Sequence, residues 1–272
     1  MKAAIVAISD IHAGSTFALL PPHGVELDDG QVVLPNKYQS ALWECWLDFW
    51  SHHVPTITKG YDKKAVVING DLIDGVHHRT IALVSNSWEV QEKLATEILS
   101  PLPRHVGPTY VVRGTEAHSD VGAQSEERIA RAIGAKKLDG HCSVYQLWIE
   151  AEGVLIQFAH HVGTTSSAAY ESSALMREMV AGLVEAGQFN KKLPSLFVRS
   201  HRHRYCEVSV PAAEGKKTCI VTPGWQLRTP YIEKWDRMRL PHIGGLVILI
   251  ENGHYEVHTK LYPLPEPEPV RL

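Results

Sequence analysis

The stretch AIVAISDIHAGS, residues 4 to 15, decides the fold prediction because an apolar run stops abruptly at Asp10 and His12. A short apolar run bounded by glycine and serine is typical of a strand in a covered sheet. Proteins that alternate strands and helices bind their ligands at the carboxyl edge of such a sheet. The pair is therefore either a metal-binding or acid/base element or an ordinary polar loop, and an Asp-x-His alone does not decide between them.

Four later apolar runs share this arrangement, since each ends in acidic or histidine side chains. AVVING leads to Asp71, TYVVRG to Glu116 and His118, VLIQFA to His160 and His161, and SLFVRS to His201 and His203. A sheet built from these runs would gather the side chains at one edge. Helical patterns separate the first three runs and hairpin strands follow the last, which predicts an α/β layered fold with two stacked sheets.

Periodicity and end signals predict the helices and the remaining strands. Long helices are expected from Tyr38 to a stop at Pro55, from Thr80 to Leu99, and over YESSALMREMVAGLVEAG to Gly187. A shorter helix, SEERIARAIGA, takes Ser125 as its N-cap. Further strands are expected over 143–149, 154–159, 204–210, 218–222, 245–250 and 255–261, the last pair joined by an Asn-Gly turn.

The composition limits the class of protein and its partners. The 272 residues suit one large domain, and we predict a single domain over 1–262 followed by a Pro/Glu-rich extended tail over 263–272. A net charge of −3 does not indicate a strongly basic nucleic-acid surface. The presence of 16 histidines against 4 cysteines favours metal binding through nitrogen.

The cysteines and the hydropathy pattern indicate the cellular compartment of the protein. No Cys-x-x-Cys spacing occurs, which argues against a zinc knuckle or a disulfide framework. The N-terminal AAIVAIS reads as a strand, because neither a long apolar segment nor a small-residue cleavage site marks a signal peptide. No run approaches the ~18 apolar residues of a membrane helix. We therefore expect a cytoplasmic protein with no membrane partner.

The side chains at the strand ends form a donor set that suits metal ions. It consists of Asp10, His12, Asp71, His160, His201 and His203. Such a mixture of carboxylates and imidazoles fits Mn, Fe, Zn or Ni better than Mg. These ligands are too many for one ion with an open position, but they suffice for two ions that share a carboxylate. Two metals about 3.5–4 Å apart clamp a phosphoryl group, which predicts phosphoester hydrolysis.

At this point the order of the motifs resembles that of the calcineurin-like metallophosphoesterases. That family has Asp-x-His, Gly-Asp, Gly-Asn-His followed by an acidic residue, a lone His, and Gly-His-x-His. This chain has SDIH, NGDLID, RGTEAHSD, FAHH and SHRH in the same order, from Ser9 to His203. The TPGW at 222–225 also resembles the Pro-Gly turn that follows the last motif in many members.

The resemblance implies a fold, a cofactor and roles for the site residues. It implies a four-layer α-β-β-α sandwich with two mixed sheets and a metal site at the carboxyl edge of the strands. One metal would be held by Asp10, His12 and His203. The other would be held by His160 and His201, with Asp71 as the bridge. The implied cofactor is two divalent ions, Mn above Fe, Zn or Ni, and the implied nucleophile is a metal-bound hydroxide.

Two departures from the family pattern raise questions. Ser200 replaces a usual glycine, which is a small change. GTEAH replaces Gly-Asn-His, so that Thr115 occupies the place of the asparagine and His118 comes two residues late. Glu116 is either a ligand of the second metal or a residue that orients His118 or a water molecule on the metal.

Several residues next to the motifs are candidates for proton transfer, phosphate binding or the lining of a pocket. His118 is the candidate proton donor to the leaving group, with Asp120 as the residue that orients it. His161 either contacts a phosphate oxygen or is only a hydrogen-bonding neighbour of His160. The segment Asp74–Arg79, with His77 and His78, follows the bridging carboxylate closely enough to line a pocket, although a solvated loop is the alternative.

The sequence thus predicts a dinuclear metal-dependent hydrolase of phosphoester bonds. The expected substrate is a phosphodiester of a nucleotide or of single-stranded nucleic acid. Two alternatives stay open: a phosphomonoesterase acting on proteins or small molecules, and a non-catalytic metal-binding scaffold of the same fold. The altered third motif is the feature that favours a scaffold. The sequence does not predict the oligomeric state.

Overall fold

The computed structural model describes residues 2–77, 80–102, 106–163, 167–213, 215–235 and 240–264. The strands are β1 (Lys2–Ile8), β2 (Val25–Glu26), β3 (Val32–Val33), β4 (Lys63–Asn69), β5 (Thr109–Val112), β6 (Ser143–Val144), β7 (Gln146–Ala151), β8 (Val154–Ala159), β9 (Leu196–Arg199), β10 (Cys206–Val210), β11 (Lys217–Val221), β12 (Ile243–Glu251) and β13 (His254–Tyr262). The helices are α1 (Lys37–Asp48), α2 (Val54–Ile57), α3 (Trp88–Leu99), α4 (Gln124–Ala132), α5 (Glu171–Phe189) and α6 (Pro230–Trp235).

Two mixed sheets carry the fold. The six-stranded sheet has the order β13-β12-β1-β4-β5-β6, and the five-stranded sheet has the order β10-β11-β9-β8-β7. In the first sheet β1 pairs in parallel with β4 and antiparallel with β12. In the second sheet β9 pairs in parallel with β8 and β11, while the outer strands β7 and β10 are antiparallel. The predicted mixed α/β class is confirmed.

The buried side chains show how helices and sheets stack. Alternate residues of β1 point to opposite faces: Ala3, Ile5 and Ala7 pack with apolar side chains of the second sheet, and Val6 and Ile8 pack with the helices α1, α3 and α4. Helix α5 covers the outer face of the second sheet at β9, β10 and β11. The near-continuous burial of β1 and β4 explains why these strands read as unbroken apolar runs.

The first predicted helix continues past its expected stop at Pro55. Helix α1 is followed by a π-helical turn over Phe49–His53 and then by α2, which contains Pro55 in its first turn. A proline is tolerated there because the first N–H groups of a helix have no partner within it. The sequence prediction of a stop was wrong for this reason.

Two predicted helix starts also differ from the structure. Helix α3 begins at Trp88 with Ser87 as its N-cap, eight residues after the predicted start at Thr80. Helix α4 begins at Gln124 after the left-handed residue Ala123, so Ser125 lies inside the helix and does not cap it. A side-chain oxygen of Asp120 accepts the backbone N–H of Ser125 instead.

The strand predicted over 143–149 is divided between the two sheets. Strand β6 pairs with β5 in the first sheet, whereas β7 pairs with β8 in the second. The chain therefore changes sheets at Tyr145, between the two short strands. Of the predicted tail over 263–272, residues 265–272 lie outside the described residues. Among the helices that are described, none has both the length and the apolar character required to cross a bilayer.

Candidate metal centre

The candidate site lies where the loops after β1 and β4 run side by side. The backbone N–H of Asp10 donates to the Gly70 carbonyl at 3.0 Å, and that of His12 donates to the Asp71 carbonyl at 3.0 Å. The backbone N–H of Trp225, in the TPGW turn, donates to the Asp10 carbonyl at 2.9 Å. The parallel pairing of the strands thus continues into the loops and brings the first two motifs together.

Five candidate ligands share an unusual backbone conformation. The φ angles are 53° at Asp10, 46° at His12, 54° at Asp71, 73° at His201 and 51° at His203. Residues other than glycine rarely adopt positive φ, although Asp and His do so more readily than most. Such conformations concentrate at functional sites, where the surrounding structure must hold them. The backbone of this region is therefore shaped to aim these side chains inward.

Asp10, His12 and His203 form the first group of candidate ligands, with ligand atoms within 4.8 Å of one another. Nε2 of His203 lies 3.3 Å from Oδ1 of Asp10 and 3.0 Å from Nε2 of His12. Asp10 and His12 are buried almost completely, whereas His203 is partly exposed. Two imidazole nitrogens and a carboxylate oxygen therefore converge on one point.

Asp71, His160 and His201 form the second group, with the same mutual spacing. Oδ2 of Asp71 lies 3.0 Å from Nε2 of His160 and 3.9 Å from Nδ1 of His201. The same oxygen lies 3.9 Å from Nε2 of His12 in the first group. The structure therefore brings all six side chains of the donor set into two adjacent groups, and Asp71 reaches both.

The donor atoms fit divalent cations. Oδ1 of Asp10 and Nε2 of His160 are buried and have no hydrogen-bond partner in good geometry among the described residues. Buried polar atoms normally have a hydrogen-bond partner, so both atoms are available to coordinate a ligand. Oxygen and imidazole nitrogen are the donors that transition metals and zinc take in such mixed sites. Each group can hold one ion and leave coordination positions open.

The carboxylates and the imidazoles of the site stabilise each other's charged forms. Burial by itself would raise the pKa of Asp10, but the neighbouring His203 lowers it to about 2. Burial likewise opposes the charged form of His160, yet the Asp71 carboxylate raises the pKa of this imidazole to about 10. Burial also opposes the charge of Asp71, but His160 holds the pKa of this carboxyl well below its usual range, so both carboxylates are ionised at neutral pH. A cation bound between these groups would replace protons on the histidines.

Hydrogen bonds from outside the two groups fix the ligand side chains. Oδ1 of Asp74 lies 3.1 Å from Nδ1 of His12 and accepts from Nε2 of Gln226 at 2.9 Å. Nδ1 of His160 donates to the Asn69 carbonyl at 2.6 Å. Such bonds leave Nε2 of each imidazole free for a metal and set the ring orientation. Asp74 was predicted only as a pocket residue, and its spacing of three after Asp71 gave no sign of this role.

The altered third motif brings Thr115, and not Glu116, to the centre. The hydroxyl of Thr115 lies 3.1 Å from Nδ1 of His201 and 3.3 Å from Oδ2 of Asp71. A side chain at Gly114 is excluded, because a Cβ atom there would lie 2.2 Å from Oδ1 of Asp71. Glu116 is exposed and belongs to none of the three candidate ligand groups among the described residues, the third of which consists of His12, Asp74 and His118. This placement corrects the ligand alternative for Glu116, because the turn that follows Thr115 leaves its side chain at the surface. The alternative that Glu116 orients His118 or a water molecule stays a prediction.

His118 lies beside the first group, where its ring meets that of His12 edge to face at 4.5 Å between centroids. Its Nδ1 donates to the carbonyl of Asp74 at 2.6 Å, so Nε2 is the atom available to a substrate. Burial, followed by the electrostatic effect of the neighbouring His12 ring, lowers the pKa of His118 to about 4. The predicted orienting residue Asp120 serves another purpose, since it binds the start of α4 and Arg128.

His161 lies at the outer edge of the second group. It is exposed, and its ring centroid is 4.7 Å from that of His201 and 5.6 Å from that of His160. Partial burial of its ring against the neighbouring loops, followed by the imidazoles of His201 and His160, lowers its pKa, so it is a neutral side chain beside the ligands at neutral pH. This position lets it reach a group bound at the second set of ligands.

A cavity of about 630 Å³ opens next to both groups. His77 belongs to its lining, whereas His78 and Arg79 lie outside the described residues. The cationic side chains of the lining are Arg202, Arg204, Arg228 and Lys234, and the apolar ones include Ile81, Leu227, Tyr231, Ile232 and Leu240. The site therefore adjoins a space with both positive charge and an apolar wall.

Comparison with known proteins gives distant likenesses only. No family model and no curated protein matches this sequence. A conserved Streptococcus pneumoniae protein described as a predicted phosphoesterase has 12% identity and a TM-score of 0.39, over 97% of this chain and 94% of that chain. Vps29 from Entamoeba histolytica has 11% identity and a TM-score of 0.37, over 96% and 99%. A metallophosphoesterase from Sphaerobacter thermophilus has 10% identity and a TM-score of 0.38, over 96% and 89%.

All three TM-scores lie below 0.5, so these likenesses carry no evidence about function.

Proposed function

We propose that this chain is a metal-dependent phosphoesterase of the calcineurin-like class. The observation that carries the proposal is the pairing of two ligand groups, Asp10-His12-His203 and Asp71-His160-His201, with Asp71 within 4 Å of both. The same two groups are the ligand sets that the motif order implies. The motif order and the geometry therefore both support the proposal that these six residues are the ligands.

Two divalent cations, Mn in first place, are the proposed cofactor. When bound, they supply neutralisation of phosphate charge and an activated water molecule. The side chains of this chain hold and orient the reacting groups. Asp74 fixes the ring of His12, and the Asn69 carbonyl fixes that of His160. His161 is proposed to bind a phosphate oxygen at the second group.

His118 is the proposed proton donor to the leaving group. Its Nδ1–H is held by the Asp74 carbonyl, which leaves Nε2 to carry the transferred proton. Without substrate the ring is neutral at pH 7, because burial and His12 lower its pKa to about 4. A phosphate group bound beside the ring adds negative charge and raises that pKa. Protonation of His118 is therefore coupled to substrate binding in this proposal.

The proposed substrate is a phosphodiester of a nucleotide or of single-stranded nucleic acid. The cavity beside the ligand groups supports this class, since it combines Arg202 and Arg228 with an apolar wall that includes Tyr231. Positive charge suits a second phosphate or a strand, and an aromatic ring suits a base. The net charge of −3 makes long duplex DNA a weaker candidate. A cytoplasmic location stays a prediction.

A non-catalytic metal-binding scaffold is the second candidate function. The observation that favours it is the third motif, in which Thr115 stands where the family has an amide ligand. A scaffold has no need, however, for a polar cavity beside a complete set of six ligands. A phosphomonoesterase is the other alternative, and the same assay distinguishes it.

One experiment tests these candidates together. Metal content of the purified chain is measured, and hydrolysis with added Mn is compared for a nitrophenyl monoester, a bis-nitrophenyl diester, cyclic nucleotides and single-stranded DNA. The proposal expects two metal equivalents and faster cleavage of the diesters. Preferred cleavage of the monoester would indicate a phosphomonoesterase. Bound metal with no hydrolysis of any substrate would indicate a scaffold.

A further inference from the structure

Glu126, in the first turn of α4, is a completely buried acidic residue outside the six candidate ligands. Its Oε1 has no hydrogen-bond partner among the described residues. The other buried side chains on this face of α4 are Ile129 and Ala130, so the carboxyl group enters an apolar interior. Burial of an incompletely bonded acid is unfavourable for folding, and such departures concentrate at functional sites.

The bonded oxygen of Glu126 reaches the backbone beside Asp71. Oε2 of Glu126 accepts the backbone N–H of Gly114 at 2.7 Å. At Gly114 the loop after β5 lies directly against Asp71, since a Cβ atom there would lie 2.2 Å from Oδ1 of Asp71. The next residue, Thr115, donates its backbone N–H to that Oδ1 at 2.6 Å. Glu126 therefore fixes the backbone one residue before a donor that orients Asp71.

The carboxyl group of Glu126 also lies close to the loop after β4. Burial, followed by the Asp71 carboxylate, raises the pKa of Glu126 to about 8, against the N–H groups of Gly114 and Leu72, which lower it. Leu72 follows Asp71 directly in that loop. The carboxyl group is therefore placed between the loop that carries Asp71 and the loop that carries Thr115.

We propose that Glu126 is a positioning residue of the second ligand group, which acts through the Gly114 peptide to hold Thr115 against Asp71. The proposal rests on the proposed metal-dependent function and extends it to a residue outside the sequence motifs. The adjacent Glu127 provides a contrast, because its carboxylate accepts the N–H groups of Cys142 and Ser143, which belong to no ligand group. Of these two glutamates, only Glu126 reaches the metal centre.

Calorimetric titration of the metal-free protein with Mn at pH 7 tests this role, because it measures binding without turnover. Glu126→Asp withdraws the carboxyl group by one methylene from Gly114 and should raise the dissociation constant of one of the two Mn equivalents by roughly tenfold. Glu126→Gln keeps the length and an acceptor oxygen, so it should bind Mn as the parent does. A role through negative charge would give the reverse order.

Glu127→Asp is the matched control, since it shortens the neighbouring side chain of the same helical turn. It should lower the unfolding free energy and leave both Mn dissociation constants unchanged. Hydrogen exchange of the Gly114 amide, measured by NMR without metal, gives a second readout. Exchange should be slow in the parent and in Glu126→Gln, and faster in Glu126→Asp.

The outcomes separate the role of Glu126 from the proposed function. A parent that binds fewer than two Mn equivalents would overturn the proposed cofactor and, with it, this role. Two equivalents in the parent with unchanged affinity in Glu126→Asp would overturn the role of Glu126 alone, even if that variant is less stable. Should Glu126→Asp not fold, Glu126→Gln still decides, because weaker Mn binding or faster Gly114 exchange there would overturn the role.

Discussion

Thr115 donates two hydrogen bonds to Asp71: its backbone N–H lies 2.6 Å from Oδ1, and its hydroxyl lies 3.3 Å from Oδ2. The hydroxyl also contacts Nδ1 of His201. Thr115 is thus the residue of the altered motif that touches the second ligand group, and it stands where the resembled family has asparagine.

We expect Thr115→Val to weaken the second metal site. Valine keeps the shape of the side chain but cannot bind the carboxylate, the imidazole or an ion. Loss of a partner that orients metal ligands typically costs 10–100-fold in metal affinity or activity. The Mn concentration for half-maximal activity should therefore rise by roughly tenfold or more. Glu116→Gln is the control and should leave the Mn requirement unchanged, whereas a rise there would restore Glu116 as a ligand.

Asp71→Asn should abolish hydrolysis and lower the metal content while the protein stays folded. The amide keeps the size of the side chain but lacks the charge that both ligand groups share. Asparagine also tolerates the positive φ at this position, so the backbone should not rearrange. The measurements are metal stoichiometry after dialysis and hydrolysis of a diester. Retention of two equivalents and activity within tenfold of the parent would remove Asp71 from the bridging role.

His118→Ala should slow the reaction most for substrates with poor leaving groups. A nitrophenolate departs without a proton, whereas an alkoxide needs one, and general acid catalysis typically contributes 10²–10⁴-fold. The test compares kcat for a nitrophenyl diester with kcat for an alkyl diester in the parent and the variant. An equal loss on both substrates would instead assign His118 to positioning through its contact with His12.

Glu127→Gln should destabilise the protein at neutral pH and much less in acid. Burial opposes the charge of Glu127, but N–H groups of Cys142 and Ser143 and the Ser143 hydroxyl bind the carboxylate and lower its pKa to about 2. The usual value in an unfolded chain is about 4.3. The stabilisation is therefore present above about pH 4.3 and is lost as the pH falls toward 2.

Denaturant unfolding measures this effect. The parent should exceed Glu127→Gln in unfolding free energy by ~2 kcal/mol at pH 7, and the difference should shrink as the pH falls below 4. Glu44→Gln, at an exposed position of α1, is the control and should show little difference at either pH. A difference that does not change with pH would mean that the charge of Glu127 contributes nothing.

Sequence reasoning could select the candidate ligands because their positions follow from chain topology. Asp10 and Asp71 follow neighbouring parallel strands of the first sheet, and His160 follows β8 of the second sheet, where its ring contacts the Asn69 carbonyl and the Asp71 carboxylate across the two sheets. What the sequence could not supply is side-chain direction over longer distances. Thr115 and Asp74 reach the ligands through contacts across 86 and 62 positions of the chain, and no local pattern encodes such contacts.

Local signals failed where the backbone departs from regular geometry. The sequence predicts that Pro55 ends the helix. In the structure the preceding π-helical turn leads into a new helix, and Pro55 lies in its first turn, where proline is tolerated. The sequence predicts Ser125 as an N-cap, yet the left-handed residue Ala123 caps the helix two residues earlier. In both cases the decisive feature is a backbone conformation that no residue type in the segment requires.

The left-handed residues of the metal centre have a consequence for protein engineering. Each such position costs of order 1–3 kcal/mol when the residue is not glycine, and five of the six candidate ligands take part. A designer who copied only the aspartates and histidines onto another α/β scaffold would obtain side chains that point elsewhere. The unit that must be transplanted is the set of turns after the strands, with the loop-to-loop bonds that join Asp10 to Gly70 and His12 to Asp71.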